Sequence, residues 1–196
     1  MYHLEIVALF KHVIIHVEEE LLLKRDKTME KIRNIFGYLL GLLVFVCGIP
    51  ALMWLVTDRG WPYWPSCKIQ AVFAIILMVV GLALSVYSIV YMKKVGKGNP
   101  FDAYNNELAP RTKNLMTDGP YSFSRNPMLL GIYVYDIGIL LFLFSLLPIL
   151  VFIAEIVLLT IQTKFEEKRL EADFGQEYLD YKKKTGKYLT IKKKAK

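Results

Sequence analysis

The chain of 196 residues is 55% apolar and 22% charged, with a formal charge of +7 and a mean hydropathy of +0.36. Its apolar residues pool in long charge-free runs, which excludes an ordinary soluble enzyme and a disordered tail, and two cysteines are too few for a disulfide scaffold. The composition is that of a multi-span membrane protein.

Residues 1–24, MYHLEIVALFKHVIIHVEEELLLK, interrupt their apolar positions with His and Glu too often for a span. They predict an amphipathic helix lying on the membrane, and they lack the basic start and cleavage site of a secretory signal. His12 and His16 stand four apart with Glu19 and Glu20 one turn on. That spacing permits a metal site, but without a further ligand cluster a polar stripe is the plainer account, and no metal is expected. The first span is predicted over about 35–57, where Gly37 and Gly41 form a small-xxx-small pair and Pro50 predicts a bend. Cys47 reads as a packing thiol within it and Cys67 as a loop thiol. Trp61, Tyr63 and Trp64 fall where interfacial aromatics belong. The second span is predicted over about 69–92.

Residues 93–126 form a long polar loop, a length that usually carries function. Its Gly96-Lys97-Gly98 is too short to cradle a phosphate and reads as flexible loop. Residues 128–163 are almost wholly apolar and, as one helix, would reach about 54 Å against a ~30 Å hydrocarbon core. Ser145 and Pro148 therefore mark the turn of a helical hairpin, with spans over about 128–145 and 147–164. A charged amphipathic helix and a basic tail follow.

The expected fold is all-α. It is a single membrane domain over 1–196, a bundle of four transmembrane helices with an N-terminal amphipathic helix and a cytosolic C-terminal helix. Lys and Arg crowd the segment before the first span, the central loop and the tail, while the first loop has only Arg59 and Lys68 and the hairpin turn has none. The positive-inside rule puts both termini and the central loop in the cytosol. The charge of +7 is then a topology signal and an attraction to anionic lipid, with no nucleic acid implied.

Phosphate loops, dinucleotide fingerprints, HExxH and nucleophile elbows are absent. Two constellations remain. In Asp118-Gly119-Pro120-Tyr121-Ser122-Phe123-Ser124-Arg125-Asn126-Pro127-Met128, two prolines push the preceding residues out of helix at the start of a span. The free N–H groups of a helix start suit a carboxylate, and Tyr121 and Phe123 suit a flat base. Past the hairpin, Glu166 and Glu167 project about 100° apart, so at least one faces the central loop, where a carboxylate suits an ammonium group. Asp136 and Glu155 lie inside the hairpin at similar depth. Intramembrane acids default to functional sites, and a close pair would share a proton or bind an amine.

GPYSFSRNPMLLG resembles the GPY-x-x-x-R-[HN]-P-M-Y-x-G signature of small membrane methyltransferases, the isoprenylcysteine carboxyl methyltransferases and phospholipid N-methyltransferases. GKGNPF resembles the stretch upstream of it, and Glu166 to Tyr181 resembles the family's C-terminal EE-x-x-L-x-x-x-FG-x-EY-x-x-Y signature. KKTGKYL is similar to the ending of prokaryotic isoprenylcysteine-type members. The resemblance covers about 96–189. It implies transfer of a methyl group from S-adenosyl-L-methionine, held at the cytosolic edge of the last spans, to a lipid or lipidated acceptor in the bilayer. Carried over, the cofactor-binding residues are Gly119, Pro120, Tyr121, Arg125, Asn126, Pro127, Glu166 and Glu167. The catalytic residues are Arg125, Asn126 and Glu167, and Asp136 and Glu155 are substrate candidates. Leu129, Lys187 and Thr190 replace the family's Tyr, Arg and Pro.

The mechanism implied needs positioning and no protein nucleophile. A glutamate grips the cofactor ammonium, the turn's N–H groups hold its carboxylate, Tyr121 or Phe123 flanks the adenine, and Arg125 orients an acidic acceptor. Isoprenylcysteine-type O-methylation, toward which the tail leans, is the favoured reading, and phospholipid N-methylation, toward which Asn126 in place of His leans, is the alternative. A sterol-reductase-like NADPH enzyme, which would be longer, and a non-enzymatic membrane adaptor are the other classes. Lys193-Lys194-Ala195-Lys196 fits a dilysine retrieval pattern for the endoplasmic reticulum in a eukaryotic host; otherwise the inner or cell membrane is expected.

Overall fold

The computed structural model describes residues 24–25, 28–29, 31–57, 68–98 and 112–190. The expected N-terminal amphipathic helix with His12 and His16, the aromatics Trp61, Tyr63 and Trp64, Cys67, the second half of GKGNPF and the dilysine tail lie outside the described residues. Within them every regular element is helical: α1 (Lys31–Val56), α2 (Lys68–Gly96), α3 (Pro127–Leu143) and α4 (Leu147–Lys184), with a 3-10 turn at Gly119–Ser122 before α3.

Helices α1, α2 and α4 are long and apolar enough to cross a membrane. Helix α3, with 17 residues, reaches about 26 Å and falls short of a ~30 Å core. Among the described residues three helices meet that length, where four spans were expected. Asn126-Pro127 delays the start of α3, and Phe144, in the left-handed region at φ 47°, ends it. The turn then falls where Ser145 and Pro148 predict, and Pro148 occupies the first turn of α4. The charged segment continues α4 past residue 164 as far as Gly175, where a kink sets off a final helical stretch that runs to Lys184. The only non-helical backbone inside α4 is at Gly175 (φ 52°, ψ −126°), a combination that glycine alone adopts readily.

The bundle is inside-out relative to a soluble protein. Leu39, Leu43, Val79 and Leu150 all point outward, Leu43 at 65% exposure, as lipid-facing side chains must. Small residues lie inside instead: Ala74, Gly81, Ser85 and Ser88 form the buried stripe of α2. A Cβ on Gly131 would stand 2.6 Å from the Gly81 carbonyl oxygen, and one on Gly138 would stand 2.8 Å from that of Ala74. Helices α2 and α3 therefore touch backbone to backbone, the association that van der Waals packing favours in lipid. Ser85 Oγ donates to the Met128 carbonyl at 2.9 Å and Gln70 Nε2 to that of Leu141 at 2.8 Å. The close contact thus falls on Gly81, Gly131 and Gly138, whereas Gly41 of the pair singled out in the sequence lines a cavity.

Pro50 acts through the backbone it disrupts. Its missing N–H and its ring leave the carbonyl four residues earlier, Val46, without a helical partner. The turn from Leu42 to Gly48 widens to π geometry, and the Val46 carbonyl accepts the Tyr135 hydroxyl at 3.3 Å. Cys47, expected to pack inside, is exposed. At the end of α2, Gly96 and Gly98 are pinned rather than flexible. A Cβ on Gly98 would stand 2.5 Å from Thr112 Cα, and Lys113 N–H donates to the Gly96 carbonyl at 2.8 Å.

Candidate functional site

Three segments meet past the apolar part of α4: the 3-10 turn with the start of α3, the charged stretch of α4 from Glu166, and the strand-like segment 185–190. The turn is shaped by Gly119 at φ 58°, whose missing side chain makes room for the Tyr91 ring; a Cβ there would stand 2.6 Å from Tyr91 Cε2. Pro120 is fully buried, and Tyr121 packs with Met92, Met116, Tyr178 and Tyr181 in one cluster. The reversal at Gly175 returns the chain so that Tyr178 and Tyr181 reach this cluster. Tyr181 Oη donates to the Tyr121 carbonyl at 2.6 Å.

Segment 185–190 straps the turn. Arg125 N–H donates to the Gly186 carbonyl at 3.0 Å, and Asn126 gives both its N–H and its Nδ2 to the Lys187 carbonyl at 3.1 Å. Thr190 donates its N–H (2.8 Å) and its Oγ1 (2.7 Å) to the Phe123 carbonyl, and its Oγ1 accepts the Gly186 N–H at 2.9 Å. Proline, the residue expected by resemblance at 190, has no N–H for that bond. The Arg125 and Asn126 N–H groups of the turn are therefore engaged by the strap, and that of Tyr121 by the Asp118 carbonyl. What remains open is the start of α3, where Asn126 provides no side-chain cap and Met128 and Leu129 have no intrahelical acceptor.

The two glutamates separate as their helical spacing requires. Glu167 turns to Arg125, with Oε1 3.1 Å from Nη2, and its Oε2 lies 3.6 Å from Lys182 Nζ. Lys182 also pairs with Glu171 at 2.5 Å. Arg125 is not spread toward an acceptor but docked on Glu167. Its Nε and Nη1 nevertheless stay buried with no hydrogen-bond partner among the described residues. Glu166 faces the other way. Burial pushes its carboxyl up to about 7, the neighbouring Glu167 charge adds to this, and Lys187 opposes it. Burial likewise raises Tyr121, Tyr178 and Tyr181, which stay neutral phenols at physiological pH.

Glu166, Tyr121, Arg125, Asn126, Pro127 and Tyr178 all line one cavity of about 780 Å³. It continues from this polar end between α1 and α4, where Val44, Phe45, Ile49, Leu158 and Leu159 form hydrocarbon walls interrupted by Glu155. Of the residues singled out from the sequence, Gly119, Pro120, Glu167 and Asp136 do not line it. Gly119 and Pro120 shape the turn, Glu167 anchors Arg125, and Asp136 stands behind Glu155. Sequence reasoning missed Met92, Met116 and Thr163 in the lining. Which face of a helix Met92 and Thr163 present, and that Met116 of the loop folds back onto Met92, are set by packing remote in sequence.

An amino-acid-type cofactor needs an anion for its ammonium, donors for its carboxylate and flat apolar walls for its base. Glu166, the two unpartnered Arg125 nitrogens and the tyrosine cluster meet those needs. A model of the phospholipid methyltransferase family matches residues 69–177, more than half of the chain. No curated protein and no solved structure matches.

Proposed function

The chain belongs to the phospholipid methyltransferase family, and from that premise we propose that it moves a methyl group from S-adenosyl-L-methionine to the polar head of a lipid held in the cavity. The observation that carries the reading is the continuity of that cavity, polar and aromatic at Glu166, Arg125 and Tyr121 and hydrocarbon between α1 and α4. Glu166 would hold the cofactor's ammonium, the free Arg125 nitrogens and the start of α3 its carboxylate, and Tyr121 or Tyr178 its base. When bound, the cofactor supplies an electrophilic methyl on a sulfonium. The chain's own part is to fix both reactants, exclude water and keep Arg125 oriented through Glu167; position alone accelerates such a displacement by orders of magnitude. The distribution of Lys and Arg supports a cytosolic polar end and cytosolic termini, with α3 and α4 as a hairpin that enters from that side and returns to it.

For the acceptor, we favour the amine of an aminophospholipid over a carboxylate. Arg125, the group that would orient a carboxylate, is docked on Glu167, and the acid in the lipid-facing wall is Glu155. The isoprenylcysteine carboxylate is the second reading, supported by the KKTGKYL segment. Membranes supplied with methyl-labelled cofactor distinguish them. Base-stable label in phospholipid is expected, base-labile label released as methanol assigns the carboxylate type, and no label removes the enzyme reading.

A further inference from the structure

Asp136 on α3 and Glu155 on α4 each lie eight residues from the hairpin turn, counting 136 to 144 and 147 to 155. Asp136 is fully buried and Glu155 is 4% exposed. The two carboxyl groups interact with each other, and among the described residues no other group donates to any of their four oxygens. The buried Tyr133 hydroxyl is near enough to Glu155 to feel its charge. Two bare carboxylates side by side in hydrocarbon would cost several kcal/mol each, so a pair there calls for protons or a cation to compensate it. Glu155 opens onto the cavity, between Val151, Ala154 and Leu158. Glu155 lies eleven residues, or about 16 Å, along α4 from Glu166. The cavity thus has one acid toward each end, the outer suited to a cofactor and the inner set among hydrocarbon.

A hydrocarbon chain gains nothing from this pair, and an anion finds no cation there to compensate it. An alkylammonium gains both ways, because its charge is compensated at low dielectric and its N–H groups have oxygens to donate to. We propose that Glu155, backed by the buried Asp136, forms the docking site for the N–H-bearing ammonium head of an aminophospholipid, and that the pair takes from it the proton that blocks its nitrogen lone pair. This rests on the reading of the cavity as the lipid site. In balance, the doubly protonated pair releases one proton to water as the ammonium docks. The singly ionised pair then receives one proton from nitrogen, leaving a neutral amine beside a neutral pair. No other bond changes. A quaternary product has no N–H to donate, so the site holds the substrate and releases the fully methylated product.

The test uses the full chain in nanodiscs and a hydrophobic carbodiimide, which modifies protonated carboxyls in apolar surroundings; peptide mass spectrometry reads Asp136 and Glu155. In phosphatidylcholine alone Glu155, which lines the cavity, labels and the buried Asp136 serves as the internal control. With half the lipid replaced by phosphatidylethanolamine or its monomethyl derivative, labelling slows at least fivefold, whereas phosphatidylglycerol has no effect. Equal labelling in all lipids, equal protection by phosphatidylglycerol, or no labelling in phosphatidylcholine overturns the proposal. Native mass spectrometry of Glu155→Gln and Asp136→Asn should show loss of the preference for phosphatidylethanolamine over phosphatidylcholine. If either isosteric variant folds and keeps that preference, the pair is only structural. S-adenosylhomocysteine binding, measured in parallel, separates the two readings. Its presence with no lipid discrimination sinks the docking site alone, and its absence in the wild type sinks the cofactor reading.

Discussion

Glu166 gives the site a pH signature with a definite sign. Its carboxyl is pushed from an ordinary 4.5 up to about 7, chiefly by burial. Only the ionised form pairs with a cofactor ammonium. The ionised fraction is about nine-tenths at pH 8, half at pH 7 and one-tenth at pH 6, so affinity for S-adenosylhomocysteine should fall about tenfold between pH 8 and pH 6. Glu166→Gln should remove that slope and weaken binding at pH 8 by about 1.5–3 kcal/mol, the worth of a hydrogen bond to a charged group. Stability of the unliganded protein runs with the same group. Its folded value lies above its unfolded one, so its stabilising effect is full below the ordinary carboxylate value and is lost as pH rises to about 7. Ligand should oppose that loss. Calorimetric titration from pH 5.5 to 8.5 in detergent or nanodiscs is the assay. A flat wild-type profile, or a slope that persists in Glu166→Gln, refutes the assignment.

Three further outcomes are expected. Gly131→Val places a branched side chain where even a Cβ would meet the Gly81 carbonyl oxygen at 2.6 Å; thermal unfolding should drop sharply, while Gly37→Ala changes it little. Gly175→Ala has open space around its methyl but sits at φ 52°, so the strain of about 1–3 kcal/mol should appear as a lower Tm together with weaker cofactor binding, since Tyr178 and Tyr181 follow it. Thr190→Pro removes both donors to the Phe123 carbonyl. It should loosen the turn by about 1–2 kcal/mol, read as faster amide exchange at Arg125 and Asn126, whereas Thr190→Ser should preserve both.

The helical class, the membrane setting and the hairpin turn were legible because long apolar runs and two well-placed prolines act locally. The ordered Gly-Pro-Tyr…Arg-Asn-Pro and Glu-Glu motifs pointed to the right family for the same reason. Other features depend on partners remote in sequence. Nothing near Gly81 or Gly131 says that they meet, and Gly37 and Gly41 looked equally suited. That Glu166 would face the cavity and Glu167 would face Arg125 follows from a rotation of α4 that packing sets. The strap was hidden most deeply, since its contacts use backbone groups that every residue possesses.

That strap has a consequence for when the protein becomes competent. Residues 121–126 are translated some sixty residues before Gly186 and Thr190, which hold their carbonyls and N–H groups in place. Helices α2 and α3 pack on each other early in synthesis, but the turn between them stays untemplated until α4 has been made and inserted and the chain beyond it has left the ribosome. A nascent chain stalled within α4 therefore occupies the membrane without a finished site, and its maturation is timed by the release of a few residues on the far side of the last helix.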